Sequence, residues 1–339
     1  MSTPAARAPK PPPGLDGERP EPLARALAAI RAVPVVWLLL IGLWIWIGIL
    51  NPLFLEPEGF LAYLKRAAPL AILAAGAFFV LASGEFDLSV GSLVTVVVVV
   101  AARLSDGDPA NTWPVIALLL AIGLAVGLIN GFVTTVLRVP SFITTLAMLL
   151  ILEGAVFLWT SGAPQGALAE NFRSIGRLGI EGIPVINELP YSVIVLVALG
   201  AVAVRLTRGH FGHRVLAVGD NDRAAALSGI NVGRVRTMAF VLSATSAVVA
   251  GVLLGGFAGV SAQVGRGLEF EAITAAVLGG TVLGGGRGSV VGAMAGALAL
   301  EALFTLLNLQ GVSGALEDAV EGVIIIAAVA VASYRLRGT

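Results

Sequence analysis

The sequence predicts an all-α polytopic membrane protein with about ten transmembrane helices. Of its 339 residues, 57% are hydrophobic and 12% are charged, and the mean hydropathy is +0.95. A soluble domain of this length needs a more strongly charged surface. Apolar runs also recur along the whole chain, separated by short polar stretches. These observations favour a bundle of spanning helices over a soluble fold.

The N-terminal segment differs from the rest of the chain. Residues 1–32 are rich in proline, alanine and arginine and have too few apolar residues to form a core, so we expect a disordered cytoplasmic tail. The apolar run that follows, 34–55, is too long for a signal-peptide core and lacks a small-residue cleavage pattern. We therefore expect an uncleaved first span and a transmembrane domain over residues 33–335.

Ten apolar runs follow one another through this domain. Several are shorter than the roughly 20 residues that a perpendicular helix requires, so we expect broken or re-entrant helices whose ends are buried in protein. In order, the predicted spans are residues 34–55, 67–83, 92–103, 114–137, 141–160, 191–206, 237–258, 272–283, 289–309 and 318–334.

The distribution of positive charge predicts the orientation of these spans. Ten crossings place both termini on one side, and most arginines of the loops and tails fall on that side, which identifies it as the cytoplasm. Lys65 and Arg66 fall on the outer side against this trend. The largest outer segment, 161–190, suits a surface that faces a soluble external partner. Its charged residues include Glu170, Arg173, Arg177, Glu181 and Glu188.

A polar loop, residues 207–236, is too charged to lie in hydrocarbon. Asn221 is predicted to cap a short helix over residues 222–228, because its side chain can accept hydrogen bonds from first-turn amides, and Gly229 supplies a left-handed stop. A second turn begins at Asn231. Two capped turns form a rigid surface, whereas a simple connection needs only a few residues. The pattern indicates a docked soluble partner, with an ordinary positively charged loop as the alternative.

Acidic residues interrupt the apolar runs at three places. In the stretch GEFDLSVG, residues 84–91, Asp87 or Ser89 can cap the helix that follows, and the flanking glycines permit a turn at membrane depth. A carboxylate there is costly in hydrocarbon and is a candidate for a translocation path, although a purely structural cap explains the same residues. Glu153 and Glu301 are also candidates to face a wet cavity, or else lie near helix ends.

The stretch 278–296 is rich in small residues at three- and four-residue spacing, which permits close packing of helices. It lacks the Lys-Ser/Thr of a phosphate-binding loop, and no Walker pair occurs in the chain, so any ATP hydrolysis is expected on a partner chain. The glycines predicted to pack helices are Gly279, Gly280, Gly285, Gly288 and Gly292.

Cofactor and metal sites are not expected. The chain has no cysteine, and its two histidines, His210 and His213, have no supporting ligand set in the sequence around them. We therefore predict no metal, no bound cofactor and no catalytic residues.

Three motifs in order resemble sugar-type ABC importer permeases, the ribose/xylose/arabinose/galactose permease family. The polar loop is similar to the pattern A-V-G-x-N-x-x-A-A-x-x-S-G-I, GEFDLSVG to G-G-x-D-L-S-V-G, and the small-residue run to G-G-T-x-x-x-G-G-x-G-S-x-x-G. Glu85 departs from the second glycine of its motif, and Glu153 from an arginine common in the family. The matching loop residues are Ala217, Val218, Gly219, Asn221, Ala224, Ala225, Ser228, Gly229 and Ile230, and those of the broken-helix motif are Gly84, Asp87, Leu88, Ser89, Val90 and Gly91.

The resemblance implies the membrane subunit of an ATP-driven importer in the bacterial inner membrane. Its implied partners are a second copy or a paralogous permease, cytoplasmic ATPase subunits that use the ATP, and an external sugar-binding protein; nucleic acid is not among them. The polar loop is implied to couple to the ATPase, with Ala224, Ala225 and Ser228 as the small face that fits a groove on it. Alternating access then moves a monosaccharide.

Other transport classes fit the same residues. An ion-coupled secondary carrier could use Asp87, Glu153 or Glu301 and would need no ATPase. Branched-chain amino acid or nucleoside permeases of the same superfamily are further alternatives. An intramembrane hydrolase is disfavoured, because no histidine lies near a spanning serine or aspartate.

Overall fold

The computed structural model describes residues 34–163, 165–184 and 186–312, together with 316, 319, 320, 322–324 and 326. The predicted tail at 1–32 and most of the predicted last span at 318–334 lie outside these residues. The described helices are α1 (Val35–Leu50), α2 (Pro57–Ala82), α3 (Val90–Ser105), α4 (Thr112–Thr135), α5 (Ser141–Thr160), α6 (Glu170–Arg177), α7 (Tyr191–Arg208), α8 (His210–Asp220), α9 (Asp222–Leu227), α10 (Val232–Phe257), α11 (Leu268–Leu278) and α12 (Val290–Leu309).

The prediction of a helical polytopic membrane protein is confirmed. Among the described helices, six are long and apolar enough to cross a membrane, namely α2, α4 with its preceding turn, α5, α7, α10 and α12. Helices α1 and α3 are apolar but shorter, with 16 residues each. The span predicted at 272–283 corresponds to α11, whose 11 residues extend only about 16 Å at the helical rise per residue.

The predicted boundary of the second span was wrong. Residues 56–66 were expected to form a short connection, but α2 begins at Pro57 and continues for 26 residues. The charges at Lys65 and Arg66 interrupt the hydropathy, yet both side chains have partners. Lys65 Nζ donates to the Arg177 carbonyl, and Arg66 Nε lies 3.5 Å from Glu301 Oε1. These contacts explain how two cations are accommodated against the general charge trend.

Two helices form the centre of the bundle. Helix α10 packs against α2, α3, α4 and α6, and nearly all of α3 is buried. Helices α4, α5 and α7 lie at the periphery and expose large apolar side chains. A largely apolar helix such as α3 is stable in the interior because it finds apolar neighbours on all of its faces, and its buried Ser92, Thr95 and Ser105 have hydrogen-bond partners.

The loops collect at two opposite ends of this bundle. At one end, which we call the polar-loop end, Gly286 N–H donates to the Ala82 carbonyl at 3.0 Å and Phe86 N–H donates to Ser141 Oγ at 3.1 Å. At the other, the hairpin end, Gly107 N–H donates to the Ala167 carbonyl at 2.8 Å. This alternation agrees with the up-and-down order of the predicted spans.

The segment at 161–190 forms the hairpin end and has more structure than the sequence predicted. Helix α6 inserts Phe172 into the core, and it is followed by strands β1 (Gly179–Ile183) and β2 (Ile186–Pro190). The strands pair antiparallel, with Glu181 opposite Glu188. The sequence did not indicate this hairpin, because five-residue strands without clear alternation give a weak signal.

Candidate functional site

The three motifs found in the sequence meet at one place, the glycine junction, defined by Ala82, Gly84, Gly219, Gly285 and Gly286. A Cβ on Gly219 would lie 2.0 Å from the Ala82 carbonyl oxygen and 2.4 Å from Gly286 N. A Cβ on Gly285 would lie 2.8 Å from Gly84 N and 2.9 Å from Gly219 Cα. The backbones of the polar loop, the broken-helix motif and the small-residue run therefore touch directly, which only glycine permits here.

The predicted caps of the polar loop are present. Asn221 Oδ1 accepts a hydrogen bond from Ala224 N–H at 2.9 Å and starts α9, and Gly229 has the left-handed φ of +81°. Asn231 Oδ1 accepts from Arg234 N–H at 2.9 Å. Asn231, however, starts the 26-residue α10 and not a short turn. The loop is thus rigidly connected to the central helix of the bundle.

One residue of the expected docking face, Ala225, is buried and does not face solvent. Ala225 is only 5% exposed and packs inside this chain, whereas Ala224 and Ser228 are exposed. The expectation that Ala225 contacts a partner was therefore wrong. Leu227, which the sequence reasoning did not select, is 91% exposed. Because a six-residue helix is too short to show a period, its inward face could not be assigned from sequence.

The remaining loop positions lie between the docking face and the interior. Ala217 and Gly219 are half-buried on α8, Ile230 is half-buried before α10, and Asn221 is exposed. His210 and His213 are exposed, with His213 Nδ1 lying 2.8 Å from the Gly209 carbonyl oxygen. Among the described residues, no group of three or more possible metal ligands comes together.

Asp87 organises the start of α3. Its Oδ1 accepts hydrogen bonds from Ser89 N–H at 3.0 Å and from Ser89 Oγ at 2.6 Å. Asn130 Nδ2 of α4 in turn donates to Ser89 Oγ at 2.9 Å. All three side chains are buried. Asp87 therefore stabilises the turn that precedes the helix rather than a first-turn amide, and Ser89 connects this turn to α4.

We expect Asp87→Asn to be tolerated better than Asp87→Leu. The amide retains the Oδ1 acceptor, whereas leucine leaves the Ser89 hydroxyl and N–H without this partner, at a cost of about 1–3 kcal/mol. Melting temperature and uptake of the two variants, reconstituted in parallel, check the order. Equal and complete loss of uptake in both would show that the negative charge itself is required.

A second segment, residues 258–267, enters the bundle from the hairpin end and reaches the N-terminal part of α3. Gly91 lies about 21 Å along α3 from Ser105 at the helical rise per residue, and Ser105 marks the hairpin end by donating to the Ala167 carbonyl. Gly265 packs on Gly91, since a Cβ on Gly265 would lie 2.0 Å from the Gly91 carbonyl oxygen. Gly265 N–H donates to Thr95 Oγ1 at 3.1 Å. Residues 258–267 therefore turn back into the bundle.

This re-entrant segment places an unpredicted carboxylate in the interior. Glu269, in the first turn of α11, is 6% exposed, and a Cβ on Gly91 would lie 2.0 Å from its Oε2. Gly91 is therefore needed to leave room for Glu269. The sequence contained one signal for it, a carboxylate shortly after a glycine pair and ahead of an apolar run. Two interrupted helices that meet within a bundle are characteristic of substrate sites in transporters.

Glu153 and Glu301 lie apart from each other. Glu153 is exposed on α5, in the middle of a helix that carries no other charged residue. Glu301 of α12 is in the ion pair with Arg66, and its side chain is 20% exposed. The structure therefore does not bring the two together.

The glycines of the small-residue run have two roles: some bring helices into contact, and others form turns. A Cβ on Gly279 would lie 2.1 Å from the Gly292 carbonyl oxygen, so these two residues bring α11 and α12 into backbone contact. Gly280 and Gly288 have positive φ values of +91° and +149° and form turns. A comparable packing row was overlooked in the sequence. It lies on α4 against α10 and consists of Gly123, Gly127 and Gly131.

These features define the class of the protein as a membrane permease. It has helices of spanning length, a rigid capped loop at one end, and interrupted helices that meet in its interior. A family model described as "Branched-chain amino acid transport system / permease component" matches residues 59–329. The chain belongs to this family.

Individual relatives give a closer comparison. The chain is 36% identical to the ribose import permease protein RbsC of Escherichia coli (strain K12) over 297 residues, 86% of this chain and 92% of the relative. It is 37% identical to RbsC of Bacillus subtilis (strain 168) over 289 residues, 84% and 87% of the two chains. The autoinducer 2 import system permease protein LsrC of Enterobacter sp. (strain 638) is 34% identical over 315 residues, 92% and 88%. No solved structure matched.

The protein is accordingly a multi-pass permease of the bacterial inner membrane, in the class of ABC importer permeases. It is a transport subunit and not an enzyme.

Proposed function

We propose that this chain moves a monosaccharide across the membrane, received from an external binding protein and driven by ATPase subunits that dock on the polar loop. The observation that carries the proposal is the glycine junction. It joins the end of α8, immediately before the exposed helix α9, to the broken-helix motif and the small-residue run through backbone contacts. The movement of a docked ATPase would therefore be transmitted into the bundle through rigid backbone contacts.

The orientation of the protein follows from the same assignment. The polar-loop end carries Arg138 and most arginines of the loop, and we place it in the cytoplasm together with both termini. Ten spans then require α1, α3 and α11 to count as short crossings and the segment at 318–334 to form the last one. The hairpin end faces outward.

The hairpin is the proposed contact for the external binding protein. Glu181 and Glu188 stand opposite each other in the strand pairing, an arrangement that is unfavourable unless another charge compensates it. A basic surface on the binding protein would supply this compensation. Electrostatic attraction of this kind chiefly increases the association rate.

A second copy of the chain is proposed to cover α5. Glu153 is exposed there between apolar side chains such as Ile151 and Phe157. A carboxylate that faces lipid is costly, so we infer that this face of α5 borders a wet path shared by two copies. Hydroxyl groups of a sugar can donate to carboxylates at such a position.

Reconstitution tests the function. Proteoliposomes that contain this chain, the ATPase and the binding protein are expected to accumulate labelled ribose only when ATP is supplied, and the purified chain alone is expected to hydrolyse none. Ribose is the first probe because two of the relatives named above are ribose import permeases, and autoinducer 2 is the second because the third relative is named for its import. Uptake driven by a proton gradient without ATP or the ATPase would instead indicate a secondary carrier.

A further inference from the structure

We propose that Glu85, Arg236 and Asp222 form an ionic link that transmits movement of α9 to the broken-helix motif, so that Glu85 is a positioning residue for transport. The inference rests on the proposed function and deepens it, because it names the side chains that would complete the coupling route. Glu85 stands at the position of the second glycine in the motif G-G-x-D-L-S-V-G.

The three charges join three separate elements. Arg236 Nε of α10 lies 2.9 Å from Glu85 Oε1, and Arg236 Nη2 lies 3.5 Å from Asp222 Oδ2 at the start of α9. Glu85 itself lies between α2 and α3. One guanidinium therefore connects the docking helix, the central helix and the break between two helices.

Burial shows which arm of the link is the stronger. The side chains of Arg236 and Glu85 are 22% and 12% exposed, whereas that of Asp222 is 50% exposed. Water screens an exposed pair, so the Asp222 arm contributes little on its own. Removal of one partner from the more buried Arg236–Glu85 pair leaves the other charge uncompensated, which is strongly unfavourable. The contact to Glu85 is therefore the one on which the link depends.

Residues beside Glu85 continue the route into the bundle. Phe86 N–H donates a hydrogen bond to Ser141 Oγ of α5, and the Phe86 carbonyl oxygen lies 3.4 Å from Thr145 Oγ1. Asp87 then binds Ser89, which begins α3. A shift of Arg236 that moves Glu85 would accordingly displace α5 and the N-terminus of α3.

The link has room to open and close. A cleft of about 560 Å³ lies beside it, and its lining includes Glu85, Asp222 and Arg236, together with Arg138 and Arg223. Water in this cleft can solvate the charges when the pair separates. A contact that breaks and re-forms between two arrangements is what a coupling step needs, whereas a fully enclosed pair would resist separation.

The test separates transmission from simple charge neutralisation. The variants are Glu85→Gln, Arg236→Met and the double variant, each assembled with ATPase and binding protein in proteoliposomes. We expect both single variants to retain ATPase copurification and basal hydrolysis, but to lower ribose taken up per ATP hydrolysed at least tenfold. The double variant has no uncompensated buried charge in the pair, yet we expect it to remain uncoupled. Arg234→Gln, at an exposed position on the same turn of α10, is the matched control and is expected to behave like the wild type.

Several results would overturn the proposal. Restored coupling in the double variant would show that the pair only neutralises charge, and wild-type coupling in Glu85→Gln would show that Glu85 transmits nothing. Loss of ATPase copurification in a folded Glu85→Gln would assign the residue to assembly instead. If Glu85→Gln does not fold, Arg236→Lys, which keeps the charge but not the guanidinium fork, must reduce coupling or the proposal fails. Absence of ATP-driven uptake in the wild type would contradict the proposed function itself.

Discussion

Gly219→Ala is expected to reduce ATP-driven uptake to background. The added Cβ would lie 2.0 Å from the Ala82 carbonyl oxygen and 2.4 Å from Gly286 N, and both are backbone atoms that cannot rotate away. Overpacking of a close contact typically costs about 1–3 kcal/mol, and a clash with two backbones belongs at or above the upper end of that range. Uptake in proteoliposomes and the melting temperature of the purified variant measure the effect.

Gly233→Ala is the control for this substitution. Gly233 is also a helical glycine at the polar-loop end, but its added Cβ would come no closer than 3.6 Å to Thr135, an ordinary contact. We expect wild-type uptake from this variant. Normal transport by Gly219→Ala would show that the glycine junction can widen to accommodate the added Cβ. The junction would then not be the rigid connection that the proposed function requires.

Leu227→Ala is expected to weaken binding of the ATPase about 30-fold. Leu227 is 91% exposed on α9, and a large apolar side chain in that position is what a partner groove can bury. Full burial of a leucine side chain contributes about 2 kcal/mol, and its loss corresponds to this change in affinity. Titration of the detergent-solubilised permease with purified ATPase measures it.

Leu158→Ala serves as the matched control for the docking experiment. Leu158 is 81% exposed, but it lies on α5 near the hairpin end. Its truncation is expected to leave ATPase affinity unchanged. If Leu227→Ala binds the ATPase as tightly as the wild type does, α9 is not the anchor of the docking surface. Ala225→Trp is unsuitable for this purpose, because the buried Ala225 tests packing inside the chain.

Sequence reasoning succeeded where the controlling interactions are local. Asn221 and Asn231 were predicted as caps, and both accept the expected hydrogen bonds, because a cap involves residues only three positions apart. Composition and recurring apolar runs predicted the membrane class, since the cost of charge in hydrocarbon depends on the residue type. The broken helix at Asp87 was also predicted, because polar residues that interrupt an apolar run are conspicuous.

Sequence reasoning failed where a side chain depends on distant neighbours. Lys65 and Arg66 interrupt the hydropathy but lie within α2, because Arg177 and Glu301 supply their partners. Ala225 resembles its exposed neighbour Ala224 in every local property. Its inward direction follows only from the way α9 packs on the bundle.

Hydropathy, charge and capping act over a few residues, so the amino-acid sequence alone predicts a helical membrane protein with a capped polar loop. The packing of the helices, in contrast, brings Gly84, Gly219 and Gly285 into one junction and Glu85 beside Arg236. The same packing turns the segment around Gly265 back onto α3. These contacts join residues far apart in the chain, and they exist because helices buried on several sides pack closely only where backbones or paired charges fit.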